Sequence, residues 1–167
     1  MNIRKTGRTL ISITGLLVTG LLLTGPGHAV SGVSKGSLSE SLSVTDCGYD
    51  SDVINYRVKL KKGGKWTGTF DGLRYYGKYT QRLKGRRLKL TFFKKSRARF
   101  VDKMEDWSSE LCGTKVNISK VAIKIRLKLN KKRTLLRGTV TANGTGRSVY
   151  GAGQGTYTGD VSGNWKR

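Results

Sequence analysis

Apolar and polar side chains alternate along much of the chain beyond residue 50. Residues 54–61 read INYRVKLK, so each apolar residue is followed by a polar or basic one. Successive side chains of a β-strand point to opposite faces of the sheet, and this pattern therefore predicts a strand with one buried and one wet face. Similar patterns predict strands at 53–61, 65–70, 73–83, 88–93, 116–129, 134–142, 147–151 and 154–165.

The turns between these strands predict their register, because a slip of one residue would move every side chain to the opposite face. In the first hairpin, the turn at residues 62–64 reads KGG and supplies glycine for a left-handed position. Apolar residues then meet inside the sheet and basic residues meet outside. The first hairpin is predicted to pair Leu60 with Trp66. The second is predicted to pair Leu83 with Leu88 and Tyr79 with Phe92 inside, and Arg82 with Lys89 and Lys78 with Phe93 outside. The third is predicted to pair Leu129 with Leu136 inside and Lys128 with Arg137 outside.

About eight short strands, each with one apolar face and joined mainly by short turns, predict an all-β fold. We expect an antiparallel up-and-down barrel, with a two-sheet β-sandwich as the alternative. In the last strand, Gly159 and Gly163 fall on the inward face between Tyr157, Val161 and Trp165. Inward glycines permit the strong curvature that closes a small barrel. In this interpretation residues 46–167 form a single β-domain.

Residues 96–112 depart from the alternating pattern. Phe100, Met104, Trp107 and Leu111 recur at spacings of four, three and four, which is a helical stripe. We expect a short helix or an ordered loop that covers one open end of the barrel. The alternative is a mobile lid over a ligand site.

Residues 1–29 have the order of a secretory signal peptide. Basic residues at positions 4, 5 and 8 precede an apolar run from Leu10 to Leu23, followed by Pro26 and Ala29. A transmembrane helix needs about 20 apolar residues, and this run is shorter and is interrupted by Ser, Thr and Gly. We therefore expect a secreted or periplasmic protein with no transmembrane segment. Residues 30–45 are rich in serine and poor in large apolar residues, so they predict a flexible lead-in.

Cys47 and Cys112 are the only cysteines in the chain. In an exported protein, an isolated pair of cysteines is most often a structural disulfide, which we predict here. Metal ligation is the less favoured interpretation of the pair. We expect no metal site and no cofactor.

The chain has 33 Lys and Arg residues against ten Asp and Glu residues. Without the three bases of the predicted signal peptide, 30 bases remain, and the net charge of the mature chain is +20. A field of this sign favours anionic partners. The charge therefore predicts an anionic polymer or a membrane surface as the partner.

Many of these bases fall on outward positions of the predicted strands. Like charges directly opposite each other destabilise a sheet, so stability alone does not explain a pair such as Lys128 with Arg137. Phosphate or sulfate binding is one explanation, and solubility is the other. Tyr76 and Phe93 are predicted among the cations, where aromatic rings can stack on sugars or bases. The predicted anion-binding residues are Arg74, Lys78, Arg82, Lys89, Lys124, Arg126, Lys128 and Arg137.

Catalytic chemistry has little support in the sequence. The only histidine, His28, lies in the predicted signal peptide, which excludes Ser-His-Asp, Cys-His and histidine-ligated zinc mechanisms from the mature domain. A carboxylate-dependent hydrolase would need the acids Asp102, Glu105, Asp106 and Glu110 of the predicted helix. A solvated helix face explains these acids more simply, and we expect a protein that is not an enzyme.

The triplet Gly64-Lys65-Trp66 resembles the G-x-W motif of the calycin group, which includes lipocalins and avidins. The resemblance covers three residues. It implies an eight-stranded barrel whose tryptophan plugs one end near the first strand, with a small apolar ligand carried in the interior. Residues 96–112 would then be the lid.

The sequence therefore predicts an exported, non-enzymatic binding protein whose basic β-face docks on an anionic polymer or surface. The candidate partners are envelope lipid, lipopolysaccharide, acidic glycan and nucleic acid. The main alternative is a calycin-like carrier of a small apolar ligand.

Overall fold

Eight antiparallel strands form a closed barrel in the computed structural model, which describes residues 30–149 and 151–167. Each strand pairs with its neighbours in the sequence, and the last pairs with the first. The predicted up-and-down barrel is confirmed, whereas the predicted signal peptide lies outside the described residues. The elements are β1 Gly32–Val44, β2 Gly48–Lys61, β3 Lys65–Phe70, β4 Leu73–Arg82, β5 Arg87–Phe92, α1 Lys94–Cys112, β6 Asn117–Leu129, β7 Leu135–Ser148 and β8 Gly151–Lys166.

Alternate turns lie at the same end of the barrel, because consecutive strands run in opposite directions. The β2–β3, β4–β5 and β6–β7 turns lie at one end, together with the start of β1 and the end of β8. We call this the lower end. The β1–β2, β3–β4 and β7–β8 turns lie at the upper end, where α1 connects β5 to β6.

Residues 30–45 contribute strand β1, and the prediction of a flexible lead-in was wrong. β1 pairs along its length with β2 and, from Val33 onward, with β8. Its inward residues Ser34, Leu38 and Leu42 are buried, and Ser34 Oγ lies 2.7 Å from Tyr56 Oη. The serine-rich composition was misleading because neighbouring strands on both edges satisfy the backbone hydrogen bonds of β1. The small side chain of Ser34 also leaves room for Tyr56.

The first and third hairpins have the predicted registers. Leu60 pairs with Trp66, and Lys128 pairs with Arg137. The boundary between the last two strands differs from the prediction, because residues 143–146 continue β7, which ends at Ser148. The separate strand predicted at 147–151 was wrong, since β7 contains its first residues and β8 begins at Gly151. The glycines in 143–146 leave room for β6 side chains: a Cβ added at Gly144 would lie 2.8 Å from Ile118 Cγ2. The sequence pattern alone made them look like turn residues.

The predicted register of the β4–β5 hairpin was wrong by two residues. Gln81 lies opposite Leu88, the place predicted for Leu83, and Arg82 lies opposite Arg87. Leu83 leaves the strand with a φ of 50° and is 58% exposed. An even displacement keeps the predicted faces, so Arg82 still points outward.

Trp66 fixes this register. Its indole is fully buried, and Nε1 donates a 3.0 Å hydrogen bond to the carbonyl oxygen of Thr91 on β5. The ring lies against Gly77 of β4, where an added Cβ would lie 2.7 Å from Nε1 and 1.7 Å from Thr91 O. A side chain at position 77 would therefore force the strands apart, and a shift of β4 by two would place Tyr75 or Tyr79 there.

Aromatic rings fill the barrel interior. The ring centroids of Trp66 and Phe92 lie 5.5 Å apart, those of Phe92 and Phe100 lie 5.5 Å apart, and those of Phe100 and Tyr157 lie 5.2 Å apart. Phe100 belongs to α1 and the other three residues belong to strands. The aromatic packing therefore joins the helix to the barrel.

Helix α1 covers the upper end, as predicted. It spans a gap in the wall, because β5 and β6 pair through residues 87–90 and 125–128 and then diverge toward the upper end. The Arg97 guanidinium donates a hydrogen bond to the carbonyl oxygen of Val121 across this gap.

The predicted disulfide is confirmed and joins Cys112 to Cys47 in the β1–β2 turn, with the Cα atoms 4.8 Å apart. Within the described ranges, no helix has the length and apolar character needed to cross a bilayer.

Glu40 is a buried carboxylate beneath α1. Lys103 Nζ donates to Glu40 Oε1 at 2.5 Å, and Tyr157 Oη donates to Glu40 Oε2 at 2.8 Å. Burial, and then the negative charge of Glu40, raise the pKa of Tyr157, so its phenol remains a donor. Tyr75 is also buried, which raises its pKa to about 12, but among the described residues its hydroxyl has no hydrogen-bond partner.

The Gly77→Ala variant tests the contact with Trp66. We expect it to lower the free energy of unfolding by about 2–3 kcal/mol, because the new methyl group overlaps Thr91 O and the indole. Gly155→Ala is the matched control, since the nearest atom to an added Cβ there lies 3.8 Å away. Urea denaturation measures both variants, and similar losses would contradict the proposed role of Trp66.

The two buried tyrosines should respond differently to removal of their hydroxyls. Tyr157→Phe leaves Glu40 Oε2 without its donor, so we expect the free energy of unfolding to fall by about 1–3 kcal/mol at pH 7. Tyr75→Phe removes a hydroxyl that has no partner, so stability should stay the same or rise. Denaturation curves that show a larger loss for Tyr75→Phe would refute this assignment.

Candidate anion-binding surface

The predicted anion-binding residues are on the outer surface of the barrel, and every one of them is exposed. The structure divides them among β4, β5, β6 and β7, four consecutive strands of the wall. They are Arg74, Lys78 and Arg82 on β4, Lys89 on β5, Lys124, Arg126 and Lys128 on β6, and Arg137 on β7.

Four bases stand in one row across these strands. Arg82 pairs with Arg87, Arg87 with Lys128, and Lys128 with Arg137. Neighbouring strands lie about 4.8 Å apart, so the row extends about 14 Å across the wall. Lys89 and Arg126 form a second basic pair beside it. Like charges in direct opposition destabilise a sheet, so this row lowers stability in the absence of an anion.

Arg87 and the turn residues were missed by the sequence interpretation. Arg87 was missed because the predicted register placed Lys89 opposite Arg82. The bases of the turns were missed because alternation assigns faces only to strand residues, although the predicted strand order already brings the turns 62–64, 84–87 and 130–133 to one end of the barrel. The lower end carries twelve bases and no acid: Lys61, Lys62, Lys65, Arg82, Lys84, Arg86, Arg87, Lys131, Lys132, Arg133, Lys166 and Arg167.

We call these twelve residues, together with Lys128 and Arg137, the basic surface. The ten acids of the chain lie elsewhere, in the β1–β2 hairpin, the β3–β4 turn, α1 and the middle of β8. Charge is therefore separated along the barrel axis, with a purely basic lower end and a mixed upper end. The acids are Glu40, Asp46, Asp50, Asp52, Asp71, Asp102, Glu105, Asp106, Glu110 and Asp160.

Among the described residues, the cations of the basic surface have no internal counter-charge. In the described part of the chain one ion pair forms, between Lys103 and Glu40, and neither residue belongs to the basic surface. Arg133 does make one internal contact, a 3.1 Å hydrogen bond to the carbonyl oxygen of Lys84. This bond joins two of the lower turns and leaves the charge of Arg133 unneutralised.

Tyr76 and Phe93, the predicted stacking residues, do not lie beside the charged row. Phe93 follows the last residue of β5 and immediately precedes α1, so it is not part of the strand as predicted. The two rings pack against each other, with centroids 6.1 Å apart. Tyr76 is six residues from Arg82 on β4, which corresponds to about 20 Å along the strand. The aromatic pair and the row of bases are therefore separate features.

The carboxylates of α1 include one residue with a structural contact. Glu105 Oε1 accepts a 2.6 Å hydrogen bond from the backbone N–H of Ile118 and thereby joins the helix to β6. Asp102, Asp106 and Glu110 are exposed on the helix surface. Within the described residues, no group of three or more His, Cys, Asp or Glu side chains has an arrangement suited to a metal ion.

The interior offers little room for a ligand. Among the described residues, a cavity of about 40 Å³ lies between α1 and the upper parts of β6, β7 and β8, where Met104 and Ile118 line it. Sites for small molecules usually measure about 300–1,000 Å³. Trp66 lies on the third strand, whereas the calycin resemblance implies a tryptophan near the first. Neither observation favours a calycin-like carrier.

No protein-family model matches the chain, and no curated protein matches it.

The Lys128→Glu variant tests whether the row is repulsive. A glutamate at this position would lie between Arg87 and Arg137 and would replace two like-charge contacts with two favourable ones. We expect the free energy of unfolding to rise by about 0.5–1 kcal/mol at low salt. Lys115→Glu, at an exposed position before β6, is the control for net charge. Equal changes in the two variants would show that the row has no local effect.

Proposed function

We propose that the protein is an exported, non-enzymatic binding protein whose basic surface docks on an anionic polymer or an anionic lipid surface. The row Arg82–Arg87–Lys128–Arg137 is the observation that carries this proposal. Four adjacent cations that form no ion pair within the described part of the chain favour an external anion, because phosphate or sulfate groups would relieve their mutual repulsion.

The distribution of charge favours binding over solubility alone. Solubility requires net charge but does not require that the charge be gathered at one end. Here the described part of the lower end has twelve bases and no acid, while residues 40–52, toward the upper end, carry four acids and no base. An electrostatic footprint of this kind is typical of proteins that bind anionic polymers.

The row is also held rigidly. Its members lie on strands that pair on both sides, so the backbone positions of the cations are fixed before any ligand arrives. The backbone positions that carry these cations lie about 4.8 Å apart across the strands, and outward positions along one strand lie about 6.6–6.8 Å apart. Fixed positions reduce the entropy that binding would otherwise cost.

Export is part of the same proposal. The order of residues 1–29 is the main support, and the disulfide between Cys47 and Cys112 agrees with an oxidising compartment. We place the protein in the periplasm or outside the cell.

Charge reversal tests the proposed binding surface. In one variant Arg87, Lys128 and Arg137 are changed to Glu, and in a matched control the exposed residues Lys95, Lys115 and Arg147 are changed to Glu. Both variants lose six units of net charge. We expect the first to bind heparin or single-stranded DNA at least tenfold more weakly, and its log–log salt slope to fall by about two to three.

Retention on a heparin column and direct titration at several salt concentrations measure this difference. Equal losses in the two triple variants would mean that net charge alone determines binding, and the proposed surface would be wrong. Unfolding curves for both variants show whether each one remains folded.

A further inference from the structure

Leu83 stands exposed at the tip of the β4–β5 turn, on the lower end of the barrel. It is 58% exposed. Leu83, Lys84 and Gly85 have φ values of 50°, 55° and 71°, a left-handed conformation that disfavours leucine and lysine. This turn therefore holds a large apolar side chain in solvent at the expense of backbone strain.

Gln81 occupies the inward place that the sequence pattern offers to Leu83. Its side chain points into the barrel opposite Leu88, and its Nε2 is buried with no hydrogen-bond partner among the described residues. A register displaced by two would bury Leu83 opposite Leu88 and would keep Gln81 on the inward face, opposite Leu90. The observed arrangement points a glutamine inward and exposes a leucine, which is the reverse of the usual preference for apolar residues inside. Local exceptions of this kind are concentrated at functional sites.

Cations surround Leu83. Arg82 and Lys84 flank it in the chain, and Arg86 and Arg87 complete the same turn. The Arg133 guanidinium reaches Lys84 O from the β6–β7 turn at 3.1 Å, so a second basic turn lies alongside. An apolar residue within a ring of bases is characteristic of protein surfaces that bind at a membrane interface.

We propose that the lower end docks on an anionic lipid surface, with Leu83 inserted between the headgroups and the surrounding bases in contact with lipid phosphates. This inference rests on the proposed function of the basic surface and names its ligand class. A fully hydrated polyanion offers an exposed leucine no apolar environment, whereas a bilayer has one directly beneath its phosphates. The lower turns lie at one end of the barrel, so a flat surface can contact them together.

Docking at the lower end gives the barrel an orientation. Residues 40–52, with four acids and no base, and α1, with four acids and five bases, lie toward the upper end and face away from the anionic lipid. The separation of charge along the axis therefore favours one orientation and opposes the inverted one.

Vesicle partition tests the insertion of Leu83. The full mature chain and its Leu83→Ser variant are sedimented with vesicles of phosphatidylcholine and phosphatidylglycerol in a 3:1 ratio. We expect Leu83→Ser to partition about fivefold less, since it loses the apolar contact but keeps every charge. Val53→Ser is the matched control, because Val53 is 65% exposed and lies in an outer depression lined by Asp52 and Asp160. It should partition like the unmodified protein.

Fluorescence gives an independent readout. The Leu83→Trp variant should show a blue-shifted emission with phosphatidylglycerol vesicles and no shift with heparin, because only the bilayer offers an apolar layer. Heparin retention of Leu83→Ser should equal that of the unmodified protein. Unfolding curves confirm that each variant folds.

The outcomes separate the two proposals. If the unmodified protein binds heparin but not the vesicles, or if Leu83→Ser partitions unchanged, lipid docking is wrong and polymer binding stands. If the unmodified protein binds neither heparin nor vesicles at low salt, the proposed function itself is wrong. A blue shift together with a loss specific to Leu83→Ser supports the inference.

Discussion

The contact between Trp66 and Gly77 is the constraint on which much of the remaining structure depends. The indole hydrogen bond to Thr91 O positions β5 relative to β3, and the absence of a side chain at Gly77 positions β4 between them. Together they set the β4–β5 register. That register places Arg82 directly opposite Arg87, and it leaves Leu83 outside the barrel. A buried packing requirement on one side of the sheet thus determines the pattern of charge on the other.

Local patterns were sufficient to predict most of the fold. Alternation predicted eight strand regions, of which seven correspond to β2–β8 and the one at 147–151 was wrong. The helical spacing of Phe100 and Met104 identified α1. The first and third hairpins were predicted in register because short turns fix which residues face each other. The predicted register of the second hairpin was wrong because its turn contains Leu83, and a sequence pattern assigns a leucine to the interior. The true register depends on Trp66 of the neighbouring strand β3, which contacts both strands of the hairpin, and local alternation contains no information about that contact. β1 was missed for a related reason, since pairing with β8 joins opposite ends of the chain.

The candidate surface was predictable in part. Alternation correctly assigned Lys128 and Arg137 to the outside, because parity alone decides the face. It could not assign Arg87 as a neighbour of Arg82 while the register was displaced by two. Alternation does not locate the bases of the lower turns. Their common position follows from strand direction, because antiparallel neighbours bring alternate turns to the same end of the barrel. Tyr76 lies on the outer face of β4 between Arg74 and Lys78, as parity predicted. Phe93 differs from the prediction because it follows β5 and immediately precedes the helix, where the strand pattern no longer applies.

Different parts of the molecule provide its stability and its proposed binding function. The aromatic interior, the Glu40 hydrogen bonds and the Cys47–Cys112 disulfide stabilise the barrel from inside and from its upper end. The row of bases opposes folding, by about 0.2–1 kcal/mol for each like-charge pair. An anion bound between these cations removes that repulsion in the folded state only, because the row does not exist in the unfolded chain. Binding and folding are therefore linked, and the ligand should stabilise the barrel as it occupies the row. A surface that served solubility alone would gain nothing from placing its charges in register.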